Sequence, residues 1–288
     1  MPVERTAGTS SSGSQRGGGR GRGGRGRGGG NASTSTRAGR SGGRGSGRGR
    51  GRGGGASRRN EPYAPPVFPE DATLRFESSS DPDLAAKLDR AGVKSLRFGP
   101  DFDVRNDHLL AIAQRPLLAA GLEVLSLGDS DTGCGGQLSD DGVQTLLKAT
   151  PNLRSLSLDA CTQLTPSTLF CALESCPRLE HLRITGHDKG SGRINAKAMK
   201  DLKAKPEVGT SLRELVLYDQ HLGDDNAVIA LTKARKKLTV RTGETMGNSM
   251  AASMIDDGGA MTTAYKGGKM VGFDFDEGMF GGGGFPFF

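Results

Sequence analysis

The sequence predicts an α/β fold of stacked strand–loop–helix units, with parallel strands on one face, helices on the other, and a coreless segment at either end. Three observations predict it. A short motif, x-x-Leu-x-Leu-x-x, recurs at Leu74/Phe76, Leu96/Phe98, Leu125/Leu127, Leu156/Leu158, Leu182/Ile184, Leu215/Leu217 and Leu238/Val240, at successive spacings of 22, 29, 31, 26, 33 and 23 residues. Each motif alternates with period two, as a half-buried strand does, and is followed by a stretch of helical periodicity. Composition shifts abruptly at both ends of the repeated region, which places its limits at about 71 and 243.

The units are consistent internally. Four carry a further Leu three residues upstream of the strand pair: Leu122, Leu153, Leu179 and Leu212. Helix starts fall where the repeat demands them: Asp81 before Pro82, Ser139, Thr165 before Pro166, Asn195 and Asp224. These residue types accept hydrogen bonds from the orphan amides of a first turn, and Pro suits the first helical position. Three residues after each second strand apolar stands Ser79, Asp101, Ser130, Cys161, His187 or Gln220, a column suited to bonding loop backbone. On this basis Cys161 and His187 are structural.

Such units cannot bury their faces alone, so stacking builds a solenoid with the strands lining its concave side. Between the paired apolar residues lie Arg75, Arg97, Ser126, Ser157, Arg183, Val216 and Thr239. One step earlier lie Thr73, Ser95, Val124, Ser155, His181, Glu214 and Lys237. One step later lie Glu77, Gly99, Gly128, Asp159, Thr185 and Tyr218. The candidate protein-binding residues are therefore Arg97, Ser126, Ser157, His181, Arg183 and Tyr218, with Arg183 and Tyr218 as anchors for a partner's side chain.

The stretch Leu153-Arg-Ser-Leu-Ser-Leu-Asp-Ala-Cys161, with Ser175-Cys176-Pro177-Arg178-Leu179, resembles the cysteine-containing leucine-rich repeats of F-box adaptors. The stretch Leu212-Arg-Glu-Leu-Val-Leu, with Leu222-Gly223-Asp224-Asp225, resembles the ribonuclease-inhibitor and Ran GTPase-activator subtype. The resemblance covers about residues 71–243 and implies a leucine-rich-repeat solenoid.

Residues 1–60 contain 14 Arg, no Lys, 22 Gly and a single acid, Glu4, a balance of +13, against −6 for the remainder. With almost nothing to bury, this arm reads as disordered. Arg-Gly-Gly occurs at Arg16, Arg22, Arg27 and Arg52, and Arg-Gly-Arg steps join Arg20 to Arg22, Arg25 to Arg27, and Arg48 through Arg50 to Arg52. This resembles the RGG/RG boxes of RNA-binding proteins. Arg forks onto phosphate and stacks on bases, so the arm is expected to bind RNA or another polyanion with strong salt dependence and little sequence preference. The resemblance also implies an arginine methyltransferase acting on these residues. No aromatic residue lies among residues 1–60 to add stacking.

Residues 61–70 form a Pro-rich hinge, with Pro62, Pro65, Pro66 and Pro69. Residues 244–288 are Gly-, Met- and Phe-rich and read as a second disordered tail. Its last sixteen positions hold six of the eleven Phe, and cation–π contacts with the Arg arm imply weak self-association of an otherwise monomeric body.

Several classes find no support. No apolar run approaches the roughly 20 residues that span a bilayer, and no apolar stretch follows the N-terminal charges as a secretory signal requires. The four Cys, at 134, 161, 171 and 176, form no Cys-x-x-Cys pair, so no metal is expected, and nucleus or cytoplasm is the expected location. Nucleophile elbow, phosphate loop and His-Glu-x-x-His are lacking. The acidic pairs Asp140/Asp141 and Asp224/Asp225 sit at helix starts, and Lys233-Ala-Arg-Lys-Lys237 at a helix end, where such charges favour the dipole. The expected function is thus a non-enzymatic adaptor without catalytic residues or cofactor. The alternatives are a substrate receptor of a ubiquitin ligase, for which no F-box is evident, and a small-GTPase regulator.

Overall fold

The computed structural model describes residues 63–79, 83–129, 132–187, 189–223, 225–245 and 260–276, all within one compact unit, Ala56–Phe288. After a short 3₁₀ turn, Glu70–Ala72, strand and helix alternate: β1 Thr73–Ser78, α1 Leu84–Leu88, β2 Ser95–Asp101, α2 Asn106–Ala113, α3 Pro116–Gly121, β3 Val124–Leu127 and α4 Asp140–Ala149. There follow β4 Ser155–Leu158, α5 Pro166–Ser175, β5 His181–Thr185, β6 Gly192–Asn195, α6 Ala196–Ala204, β7 Glu214–Tyr218, β8 Gln220–His221 and α7 Asp225–Ala234. The chain then forms β9 Thr239–Thr245, β10 Ala260–Lys266 and β11 Lys269–Asp276. The main sheet has nine strands in the order β1-β2-β3-β4-β5-β7-β9-β10-β11, and β6 pairs with β8 in a separate small sheet.

The seven strands from β1 to β9 in this sheet run parallel in chain order. Leu74 pairs with Leu96, then with Leu125, Leu156, Leu182 and Leu215 in one unbroken row. All six are buried, together with the upstream Leu122, Leu153, Leu179 and Leu212 and with helix residues such as Leu109, Leu146, Leu169, Leu202 and Leu231. Each such side chain contributes about 1.5–3 kcal/mol on leaving water, so one continuous core between sheet and helices holds the stack.

The row breaks from the expected spacing at its last member. Leu215 pairs with Val240, which places Leu217 opposite Thr242 and moves the expected pair Leu238/Val240 by two residues. The reason is the length of the turn ahead of β9. Leu238 donates its amide to Arg235 O, as Leu212 does to Gly209 O, and it is 1 % exposed. It therefore fills the upstream leucine slot, but only two residues before the strand apolar instead of three. In consequence Arg241, and not Thr239, stands beside Val216 on the face away from the core.

Helix starts are tied to one another. Ser139, Thr165 and Asn195 each accept a first-turn amide as expected, while Asp81 and Asp224 lie outside the described residues. Asn106, at the start of α2, exchanges hydrogen bonds with Ser139. Asp140 accepts from the amide and hydroxyl of Thr165 and from the Thr168 hydroxyl. Burial opposes the charge on Asp140, yet these donors hold its carboxyl below the usual carboxylate range. A helix was expected between β2 and β3 without a start residue; two short ones, α2 and α3, fill that interval, and His108, in the first turn of α2, accepts through Nδ1 from the Arg105 amide as the Glu or Gln of a capping box does.

The parallel series does not end the sheet at 243. Strand β9 pairs antiparallel with β10 and β10 with β11, so the disordered reading of residues 244–288 gives way over 260–276. Tyr265 stands opposite Val240, 2 % exposed, and joins the core where a further helix-bearing unit would otherwise be needed. A stack of open-ended units requires such a cap. Phe273, on β11, is 51 % exposed. Residues 246–259 and 277–288, with the remaining terminal Phe, lie outside the described residues. No described helix is long and apolar enough to cross a membrane.

Candidate functional site

Helices cover one side of the sheet; the other side carries the expected binding residues. The in-register strands place them in straight rows: Arg75, Arg97, Ser126, Ser157, Arg183, Val216 and Arg241 form the middle row. Ser95, Val124, Ser155, His181, Glu214 and Thr239 form the row beside it. The two halves of this face differ.

In the N-terminal half Arg75 faces Arg97 directly across two strands. Neither has a carboxylate partner among the described residues. Burial, then the Arg75 charge, lower the pKa of Arg97. Like charges directly opposite on neighbouring strands repel. Ser126 and Ser157 continue the row, half-buried.

In the C-terminal half the polar groups are satisfied within the chain. Arg183 Nε donates to Asp159 Oδ1 at 2.7 Å, and its guanidinium lies 5.0 Å from the Tyr218 ring centroid. Tyr218 is 4 % exposed and packs with Val216 in a small apolar cluster of its own. The two residues expected as anchors are thus engaged within the chain: Tyr218 is buried and the Arg183 guanidinium lies over its ring. Glu214 accepts from Arg241 Nε at 2.7 Å and from the Tyr63 amide at 3.1 Å. The Tyr63 ring stacks on His181, centroids 5.4 Å apart and 13° from parallel. Residues 63–70 are therefore packed onto the sheet at Tyr63 instead of forming a simple hinge. Burial, then the Glu180 carboxylate, raise the Tyr63 pKa.

His181 is 8 % exposed. Burial pushes its pKa down to about 4, although Glu214 Oε2 lies 3.7 Å from Nε2 and favours the charged ring; Arg183 and Arg241 add to the depression. At neutral pH the ring is uncharged, so the contact with Glu214 is no ion pair. Ser155 Oγ lies 3.2 Å from His181 Nδ1, which gives Ser155, His181 and Glu214 the connectivity of a nucleophile, base and orienting acid. The surroundings do not match that role. Ser155 is 3 % exposed, its amide is spent on Glu123 O, and Tyr63 covers the imidazole. The three residues form a satisfied polar network inside the sheet face.

A second row, one residue ahead of the strands, alternates in sign: Lys94, Glu123, Arg154, Glu180, Arg213. Successive members are ion-paired at 2.9, 3.8, 3.0 and 3.5 Å. Each half-exposed link is worth at most about 1 kcal/mol, but together they fix the register of neighbouring units along one rim. The alternation stands in the sequence as a column, in the residue before each strand.

Four members of the loop column meet loop backbone as expected, while Ser130 lies outside the described residues. The Cys161 thiol contacts Asp159 O, Gln220 accepts from the Ile194 amide, and His187 Nδ1 accepts from the Lys189 amide. Ser79 accepts from the Asp103 amide. At Gly128, φ is +79° and the Asp159 carbonyl occupies the space a Cβ would need, so no other residue fits. The four Cys are free thiols. Burial raises the pKa of Cys161 well above its ordinary value and that of Cys176 to about 12. Among the described residues no group of acidic, Cys or His side chains is placed to hold a metal. The RG-box residues Arg16, Arg20, Arg22, Arg25, Arg27, Arg48, Arg50 and Arg52 lie outside the described residues. The chain matches no known family model and no curated protein.

Proposed function

We propose that this protein is a non-enzymatic adaptor: a leucine-rich-repeat solenoid whose open sheet face takes an acidic segment of a protein partner, with an RG-rich arm that binds RNA. One observation carries the protein-binding part. Arg75 and Arg97 face each other with no carboxylate partner among the described residues, beside Ser126 and Ser157, while Arg183 and Arg241 in the other half are paired with Asp159 and Glu214. An incoming Glu, Asp or C-terminal carboxylate relieves that repulsion and receives charge-assisted hydrogen bonds, with the Ser hydroxyls as further donors. The arm supports the RNA part by composition: 14 Arg set among 22 Gly give affinity through phosphate. Arginine methyltransferases act on it, and tethering raises the concentration of one ligand near the other.

The ubiquitin-ligase alternative is weakened, because the stretch that follows the Pro-rich segment forms β1 and α1 of the first unit and not the helical segment of an F-box. The test is a titration of the full-length protein with a fluorescent acidic peptide. Arg75→Glu/Arg97→Glu is expected to abolish binding and Glu77→Gln to leave it. Undiminished binding by the double variant overturns the assignment of this face.

A further inference from the structure

Beside the closed half of the face, at the rim where β5, β7 and β9 begin and β10 ends, is a cleft of about 800 Å³. That volume suits a ligand the size of one or two nucleotides. Its wall carries five cations, Arg178, Arg213, Lys236, Lys237 and Lys266, and two carboxylates, Glu180 and Glu214. The carboxylates are already engaged, Glu180 by Arg154 and Arg213, Glu214 by Arg241 and the Tyr63 amide. Arg178, Lys236 and Lys237 have no carboxylate partner among the described residues, and all three are exposed. Thr210, Ser211 and Thr239 also line the cleft, with the Ser211 hydroxyl donating to Pro177 O, and Tyr63 adds an aromatic wall.

The run Lys233-Ala-Arg-Lys-Lys237 is divided by this geometry. Arg235 turns inward and donates to Leu202 O, Lys205 O and Val208 O, satisfying the carbonyls at the end of α6. Helix-end charge thus accounts for Arg235. It does not account for Lys236 and Lys237, which follow α7 and line the cleft.

We infer that this cleft binds the phosphodiester backbone of single-stranded RNA, with Arg178, Lys236 and Lys237 on phosphates and Tyr63 against a base. The ligand class follows from exposed cations without carboxylate partners beside an aromatic ring, the combination that holds single-stranded nucleic acid. The choice of RNA rests on the reading of the arm given above. Tyr63 lies three residues after the arm ends, so one RNA strand held by the arm is delivered to the cleft at high effective concentration.

The test uses the full chain and a short fluorescent oligouridylate. Arg178→Glu/Lys236→Glu/Lys237→Glu is expected to weaken binding and to reduce the slope of log K against log salt by about 2, since each single-strand phosphate contact contributes about 0.7. A second full-length variant carries Gln for the eight RG-box arginines. It is expected to keep a residual affinity that the triple reversal removes. On the unaltered protein, RNA is expected to protect Lys236 and Lys237 from acylation, read by mass spectrometry, a measurement that needs no variant to fold. Unchanged affinity and slope in the triple variant, or equal acylation with and without RNA, overturns the cleft. If the arm variant binds as well as the unaltered chain while the triple reversal abolishes binding, the arm reading fails and the cleft stands.

Discussion

Arg97 and Arg183 occupy the same row of the same sheet, on strands of equal pairing geometry, yet their surroundings are opposite. Arg97 faces Arg75 and is ion-paired with no acid among the described residues. Arg183 is held by Asp159 and lies over Tyr218, next to a His–Glu–Arg network closed by Tyr63. The backbone ladder dictates which residues stand side by side, but not whether their charges are spent within the chain. A face of uniform backbone architecture is therefore electrostatically divided: Arg183 and Arg241 are ion-paired, and Arg75 and Arg97 are not paired with a carboxylate among the described residues.

The largest effect expected in breaking this contrast comes from Glu214. Glu214→Ala leaves the buried Arg241 without its acid and the Tyr63 amide without its acceptor, and is expected to cost about 3–5 kcal/mol. Ser157→Ala, in the other half, is expected to change stability by no more than about 0.5 kcal/mol. Urea denaturation midpoints check both, and equal losses would erase the distinction.

Next in size is the pH dependence set by His181. Its pKa is about 4 when folded and near 6.5 when unfolded. Between these values the unfolded chain binds more protons than the folded one. The stabilisation is therefore fully present above pH 6.5 and is lost as the pH falls towards 4, by up to roughly 3 kcal/mol. His181→Gln is expected to flatten the stability profile across that window; an unaltered profile would place the titrating group elsewhere.

A smaller effect, about 1 kcal/mol, is expected for Tyr63→Ala, which removes the ring stacked on His181. Its more informative readout is the imidazole itself. Exposed to water, His181 is expected to titrate closer to 6.5 by NMR, whereas a pKa still near 4 would mean that the strand segment alone buries it. The smallest effect is Arg75→Gln, expected to stabilise by a few tenths of a kcal/mol by relieving the pair with Arg97. A loss of stability would show that this half, too, is closed.

Much of the scaffold was legible because its signal is local and repeated. The row from Leu74 to Leu215, the caps at Ser139, Thr165 and Asn195, and the loop roles of Cys161 and Gln220 follow from spacing and side-chain chemistry. The last unit was misplaced because Leu238 is a core leucine whichever slot it fills, and hydrophobicity cannot tell a two-residue from a three-residue interval. That shift hid Arg241. The start of α2 carried no signal because its N-cap is an Arg whose amide is bonded by a His, outside the usual capping residues. The hairpin β10–β11 escaped because its Thr, Gly and Lys carry little apolar signal in sequence; the open edge of β9 supplies the partner.

By itself, then, the order of residues determined the repeating strand-and-helix plan, the contents of the core and the opposed charge of arm and body, because each depends on periodicity or composition. Which half of the open face is closed, where Tyr63 lies and which lysines of the run after α7 face the cleft were decided by the tertiary structure alone. Those outcomes depend on contacts between residues as far apart as Tyr63 and Glu214, and no interval along the chain encodes such a meeting.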